Sequence, residues 1–116
     1  MQLVEIIEMQ RQFDQDHESR FQWAAPLSAD DSQPLTHGVL ALAGEVGELA
    51  NIVKKYERGD FGYDELMELL PGEVADVFIY LVKIAYQSGI DLEDAFRQKL
   101  LENKARFKHS EKGSVA

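Results

Sequence analysis

The chain has 116 residues, 45% of them hydrophobic, enough for one core and one domain and too few for two. Twelve Lys and Arg against twenty-one Asp and Glu give a net charge of −9, and the basic residues form no run, which argues against nucleic-acid and anionic-membrane partners. The absence of Cys excludes disulfide scaffolds, thiolate metal sites and cysteine nucleophiles, and the opening MQLVEIIEMQ carries charge by its fifth residue without a basic n-region, so it does not read as a signal peptide and the expected compartment is the cytoplasm.

Leu3, Ile6, Ile7, Phe13 and Phe21 recur at helical spacing and predict a first amphipathic helix over roughly the first twenty residues, with Gln10, Asp14 and His17 sharing its apolar face. The run WAAPLSADDSQ loses this periodicity and reads as a loop ending in capping chemistry. A second helix is expected from about Thr36 to Glu57, carrying Val39, Leu42, Val46, Leu49, Val53 and Tyr56 on one side. Lys54, Lys55 and Arg58 sit where cations meet the negative end of the helix dipole, and Gly59 suits the left-handed position that closes the helix. A short amphipathic segment follows over residues 63–70, and Pro71 either breaks it to start a new helix or kinks it, since proline has no N–H for the carbonyl four residues back. Helices are then expected over residues 71–87 and from Asp91 to about Phe107, the second capped by Asp91 with Asp94 at its third position. The polar residues 109–116 are expected to be a disordered tail, leaving 1–108 as the domain. No useful period-two alternation occurs, so the fold class is all-α, with four or five helices according to what Pro71 does.

Ionisable groups on apolar faces carry the functional signal, because burying a charge without compensation is costly. On the second helix Glu45 falls inside the apolar arc and Glu48 at its edge. The helix from Pro71 is apolar nearly all round, and its only polar stripe holds Glu73, Asp76, Tyr80 and Lys83; such a helix is expected to be buried, with that stripe facing another helix or a cavity. On the last helix the face of Leu92, Ala95 and Phe96 continues into Lys99, Asn103 and Arg106. Two acid pairs at i and i+3 on adjacent helices would bring four carboxylates into one volume, which requires cations. Oxygen donors without His or Cys favour Mg²⁺ or Mn²⁺ over zinc or copper. The ferritin-like di-iron alternative needs Glu-x-x-His, and none of the three His has a Glu three residues before it. An isolated E-x-x-E is ordinarily a solvated face; Glu73 and Asp76, on so apolar a helix, make the set unusual.

GEVGELANIVKKYERGD, followed after twenty-four residues separating Glu48 from Glu73 by GEVADVFIYLVKIA, resembles the E-x-x-E…E-x-x-D signature of the MazG-like all-α nucleoside triphosphate pyrophosphohydrolases. Lys99, Asn103 and Arg106 match that family's closing K-x-x-x-N-x-x-R motif, and the resemblance runs from about Leu35 to Phe107 with a weaker echo in the first helix and Trp23. It implies Mg²⁺-dependent cleavage between the α and β phosphates of a (d)NTP, giving monophosphate and pyrophosphate. It maps the metal onto Glu45, Glu48, Glu73 and Asp76, and nucleotide contacts onto Lys99, Asn103 and Tyr80, with Gln10 and Trp23 as further substrate-side candidates. It also implies a homodimer or homotetramer whose central helices form a bundle across the interface. Where the family carries further acids before the third Glu, this chain has Pro71 and Gly72, which would put the second motif at a helix start.

In phosphoryl chemistry of this kind positioning and charge neutralisation matter most. Glu48, at the edge of the apolar arc, is preferred over Glu45 as general base, and Lys99 and Arg106, with Lys54 or Lys83, would balance charge on the leaving pyrophosphate. The rival readings are a phosphoribosyl-ATP pyrophosphohydrolase, which cleaves the same bond, and a non-catalytic helical dimer that binds metal or nucleotide.

Overall fold

The computed structural model describes residues 1–18 and 24–115, with side chains described through Lys108. It contains four helices, α1 (Leu3–Asp16), α2 (Gln33–Glu57), α3 (Tyr63–Gln87) and α4 (Leu92–Val115). No strand occurs among the described residues, as the period analysis requires. None of the helices among those residues is long and apolar enough to cross a membrane.

Helix α1 ends at Asp16, earlier than the apolar spacing suggests, with His17 closing it through Nδ1 against the Phe13 carbonyl at 2.7 Å. Phe21 and Trp23, both used in the sequence reading, lie outside the described residues. The N-cap of α2, Ser32, makes no side-chain capping bond; instead Asp31, one residue earlier, accepts from the Gln33 amide through Oδ1 at 3.0 Å, and Pro34 occupies the first helical turn, where a missing N–H costs nothing. The same connection is tied to the end of α3, since the Leu27 amide donates to the Gln87 carbonyl at 2.7 Å and Gln87 Nε2 donates to the Ala25 carbonyl at 3.1 Å. At the other end of α2, Gly59 takes φ 88°, the left-handed conformation expected of it.

Pro71 does not divide the chain. It lies inside α3, a single 25-residue helix, so residues 63–70 and 71–87 are one element and the second acid pair is mid-helix. A proline in a helix interior costs about 3 kcal/mol through the lost hydrogen bond and the clash with the carbonyl four residues back. Here that carbonyl belongs to Met67, and both Met67 and Pro71 are solvent-exposed, so the freed oxygen is on the hydrated side while Leu66 stays buried and anchors the turn.

The body of the molecule is α2 packed on α3, with α1 laid against α3. Gly38 marks the close approach of α2 to α3: a Cβ there would stand 3.0 Å from Ile84 Cγ1. At the opposite end Tyr56 and Tyr63 meet edge to face with centroids 6.5 Å apart. Asp91 caps α4 as predicted, its Oδ1 accepting from the Asp94 amide at 3.0 Å, but α4 has no substantial packing against the other three helices and extends past Phe107, where its periodicity suggested an end.

The expectation that α3 is buried all round is not met within one chain. Leu66, Val82 and Ala85 are its buried apolar residues, while Val74, Phe78 and Leu81 are substantially exposed. The radius of gyration is 18.3 Å, against about 13 Å for a compact domain of this length. Two helices and part of a third cannot wrap a fully apolar cylinder, so the outer face of α3 stays open.

Candidate functional site

The i, i+3 spacing of the two acid pairs places each on one helix face, and α2–α3 packing turns the two faces toward each other. Glu45, Glu73 and Asp76, all half-buried, each offer a carboxylate oxygen within 4.8 Å of the others. Glu48, one turn along α2 from Glu45, is exposed and outside this tight set, yet close enough for its charge to act on Glu45. Partial burial first, and then the charges of Glu48, Asp76 and Glu73, push the Glu45 carboxyl above the usual glutamate range.

The donor chemistry suits a hard divalent cation. Glu45 Oε2 and Glu73 Oε2 are both buried without a hydrogen-bond partner among the described residues, an arrangement that costs free energy unless something positive meets those lone pairs. Every converging ligand atom is a carboxylate oxygen, as Mg²⁺ and Mn²⁺ prefer.

The acid cluster has a consequence for the metal-free fold. A carboxyl whose folded pKa lies above its unfolded value of 4.5 contributes fully only below that value, and its contribution is lost as pH rises through the folded pKa. In EDTA at pH 7, Glu45→Gln should therefore melt above wild type, and the difference should shrink as pH falls toward 4.5. Thermal melts across that range check both the sign and the window.

Tyr80, one turn beyond Asp76, is half-buried, and its phenol is pushed above its usual value by burial and by the carboxylates of Glu45, Asp14 and Asp76. It thus stands between the acid cluster and a second polar group that the sequence reading did not assign to the site. Asp14 of α1 is 3% exposed; it accepts from Gln10 Nε2 at 3.0 Å and from the Tyr86 hydroxyl, and pairs with Lys83 Nζ at 3.5 Å. Burial and the Asp14 carboxylate push the Tyr86 phenol far up. Lys83 Nζ in turn stands 5.0 Å from the centre of the Tyr80 ring. Two expected substrate-side residues, Gln10 and Lys83, thus converge on Asp14. The signal for Asp14 was present in the sequence, an ionisable residue on the apolar face of α1, the same criterion that singled out Glu45.

The cations of α4 are not brought to the cluster within this chain. Lys99 and Arg106 are exposed; Lys99 pairs with Glu102 at 3.5 Å, and Arg106 donates to Asn103 Oδ1 at 3.2 Å. Among the described residues α4 has no substantial packing against α1, α2 or α3, so this stripe meets no helix face of the same chain's body. Lys54 is also exposed, and Arg58 is engaged by Asp60 at 2.7 Å. Trp23 lies outside the described residues.

Residues 33–110 match the family model described as the MazG nucleotide pyrophosphohydrolase domain. The chain is similar to dCTP pyrophosphatase 1 of Rattus norvegicus, 36% identical over 82 residues that cover 66% of this chain and 48% of that protein. It is also 37% identical over 82 residues to dCTP pyrophosphatase 1 of Mus musculus, with the same coverage. The chain spans about half the length of these curated relatives. No solved structure matches it significantly. The domain match includes all four acids and the α4 trio and takes in well over half of the chain, which therefore belongs to the MazG nucleotide pyrophosphohydrolase family.

Proposed function

We propose that this chain is a divalent-metal-dependent nucleoside triphosphate pyrophosphohydrolase that cleaves (d)NTPs between the α and β phosphates to release monophosphate and pyrophosphate. The observation that carries this reading is the convergence of Glu45, Glu73 and Asp76 inside a MazG domain, with two buried carboxylate oxygens that have no partner among the described residues. Those three acids with Glu48 would hold Mg²⁺, for which Mn²⁺ could substitute. The ion would supply charge neutralisation on the phosphates and acidify the attacking water.

The protein's own groups supply the rest. Glu48 is exposed beside the cluster and is free to take the proton of a water attacking the α phosphorus, while the bond to the bridging oxygen breaks and pyrophosphate departs. Glu45, with its raised affinity for a proton, is the alternative base. Lys99, Arg106 and Lys54 are assigned to the leaving pyrophosphate, and Asn103, Tyr80, Gln10 and Trp23 to the nucleotide. The rat and mouse relatives make dCTP the first substrate to try.

The test is pyrophosphate release from the common NTPs and dNTPs and from phosphoribosyl-ATP, in Mg²⁺, in Mn²⁺ and in EDTA. Turnover of at least one (d)NTP that stops in chelator is expected. Undiminished turnover in EDTA would remove the four-acid site, and turnover of phosphoribosyl-ATP alone would shift the substrate class.

The same reading includes a homodimer or homotetramer. The exposed apolar side chains of α3, the separated α4 with Phe96, Leu101 and Phe107 exposed, and the extended dimensions support it, because such surface is ordinarily covered. Sedimentation at micromolar concentration should give two or four times the 13.2 kDa chain mass, and a lone 13.2 kDa species would contradict it.

A further inference from the structure

Ile6, Met9 and Phe13 of α1 and Phe78, Ile79 and Val82 of α3 line an open groove of about 300 Å³. Gln10, the polar residue in its lining, already gives its amide to Asp14 at 3.0 Å, so the groove lacks the convergent polar groups that orient a small ligand. Met9 and Phe13 are 60% and 57% exposed, so this apolar lining meets water in the single chain.

The same chain carries a matching surface. Phe96, Leu100 and Phe107, at i, i+4 and i+11, share one stripe of α4, and all three are substantially exposed. Only residues 88–91 join α3 to α4, and Gly89 at φ 68° with the Ile90 amide on the Ala85 carbonyl at 2.9 Å fixes how the chain leaves α3. In that geometry the stripe of α4 has no substantial packing on its own chain among the described residues. The two surfaces are also opposite in charge. Residues 3–16 hold four acids and one Arg, whereas residues 97–108 hold five Lys and Arg and one Glu, against the acidic trend of the chain. Glu5 and Asp16, both exposed, lie on the Met9 side of α1, one and two turns from it, and the exposed Lys104 and Lys108 flank the α4 stripe.

We propose that the α1–α3 groove is the docking site for α4 of a second copy of this chain, with the Phe96–Leu100–Phe107 stripe in the groove and the basic flank of α4 beside the acids of α1. Two copies related by a twofold axis would exchange α4 reciprocally, burying two identical apolar contacts and leaving neither stripe in water. The inference rests on the oligomer reading above and adds which surfaces meet. It also gives a role to α1, which lies outside the family match that begins at residue 33.

Disulfide cross-linking tests this, since the chain has no Cys and introduced thiols are its only ones. Full-length copies carrying Met9→Cys or Phe13→Cys are co-expressed with copies carrying Phe96→Cys, Leu100→Cys or Phe107→Cys and oxidised; all these positions are exposed in the single chain, so the variants should fold. Disulfides joining a groove copy to an α4 copy are expected, identified by peptide mass. An oligomer by sedimentation in which no such pairing forms, or in which groove thiols join only each other, would overturn the inference and leave the oligomer standing with the groove open to another occupant. Cross-linked monomers from a chain carrying both thiols would show α4 folding back on its own body and would also overturn it. As a second measurement, Lys104→Glu with Lys108→Glu should raise the dissociation constant of the oligomer by about tenfold at low salt, and Glu5→Lys with Asp16→Lys in the same chain should recover most of the loss. Unchanged dissociation in the first variant, or no recovery in the second, counts against the proposed pairing of faces. A wild-type chain that sediments as a lone 13.2 kDa species would remove the oligomer reading itself, and this inference with it.

Discussion

Glu73→Gln should lower kcat/KM for the best (d)NTP by about 10²-fold or more at limiting Mg²⁺. Glu73 contributes one of the three converging carboxylate oxygens, and its Oε2 is buried without a hydrogen-bond partner among the described residues, so the side chain is committed to the cluster. Glutamine preserves shape but presents a neutral oxygen to the cation and removes one negative charge from the cluster. Because the loss is one of cation affinity, raising Mg²⁺ should recover part of the rate, and the Mg²⁺ dependence of pyrophosphate release should move to higher concentration. A variant with the wild-type Mg²⁺ dependence would show that the cluster is only an unusual acidic face.

The acid site was legible in the sequence because it depends on two local quantities. Spacing at i and i+3 puts two carboxylates on one helix face wherever the helix goes, and the contrast of Glu73 and Asp76 with an otherwise apolar α3 says that this face is turned toward something. Which of the four acids meet most closely was not legible. It depends on how α2 and α3 pack, closely enough at Gly38 that a Cβ there would stand 3.0 Å from Ile84 Cγ1, and in that packing Glu48 is exposed.

The long-range parts were harder to read. Asp14 meets Tyr86 seventy-two positions away, and whether an acid on the apolar face of α1 finds a phenol and an ammonium is decided by how two helices cross. Pro71 was over-weighted for a related reason. Local chemistry says that proline interrupts a helix, whereas Leu66 on one side of it and Val82 and Ala85 on the other anchor α3 as a single rod, a tertiary gain larger than the local cost. The direction of the α4 stripe is set by packing that the stripe itself does not encode, and among the described residues α4 has no substantial packing against α1, α2 or α3.

Glu48→Gln and Asn103→Ala should fail differently, and the contrast separates base chemistry from nucleotide recognition. Glu48 is exposed beside the cluster and is not one of the three closely convergent acids, so glutamine there should leave Mn²⁺ binding measurable while removing the proton acceptor. If it is the general base, kcat should fall by about 10²-fold or more, with no recovery at high Mg²⁺, in contrast to Glu73→Gln. Asn103 is half-buried on α4 and accepts from Arg106, so alanine removes a neutral hydrogen-bonding group and releases the guanidinium it holds. Its loss should appear in kcat/KM at about 1 to 3 kcal/mol, with metal affinity unchanged. Steady-state kinetics with calorimetric Mn²⁺ titration on both variants distinguishes the two patterns. Wild-type kinetics in both, with circular dichroism showing intact helices, would mean that neither helix face touches the reacting nucleotide and that Glu48 is an ordinary solvated acid.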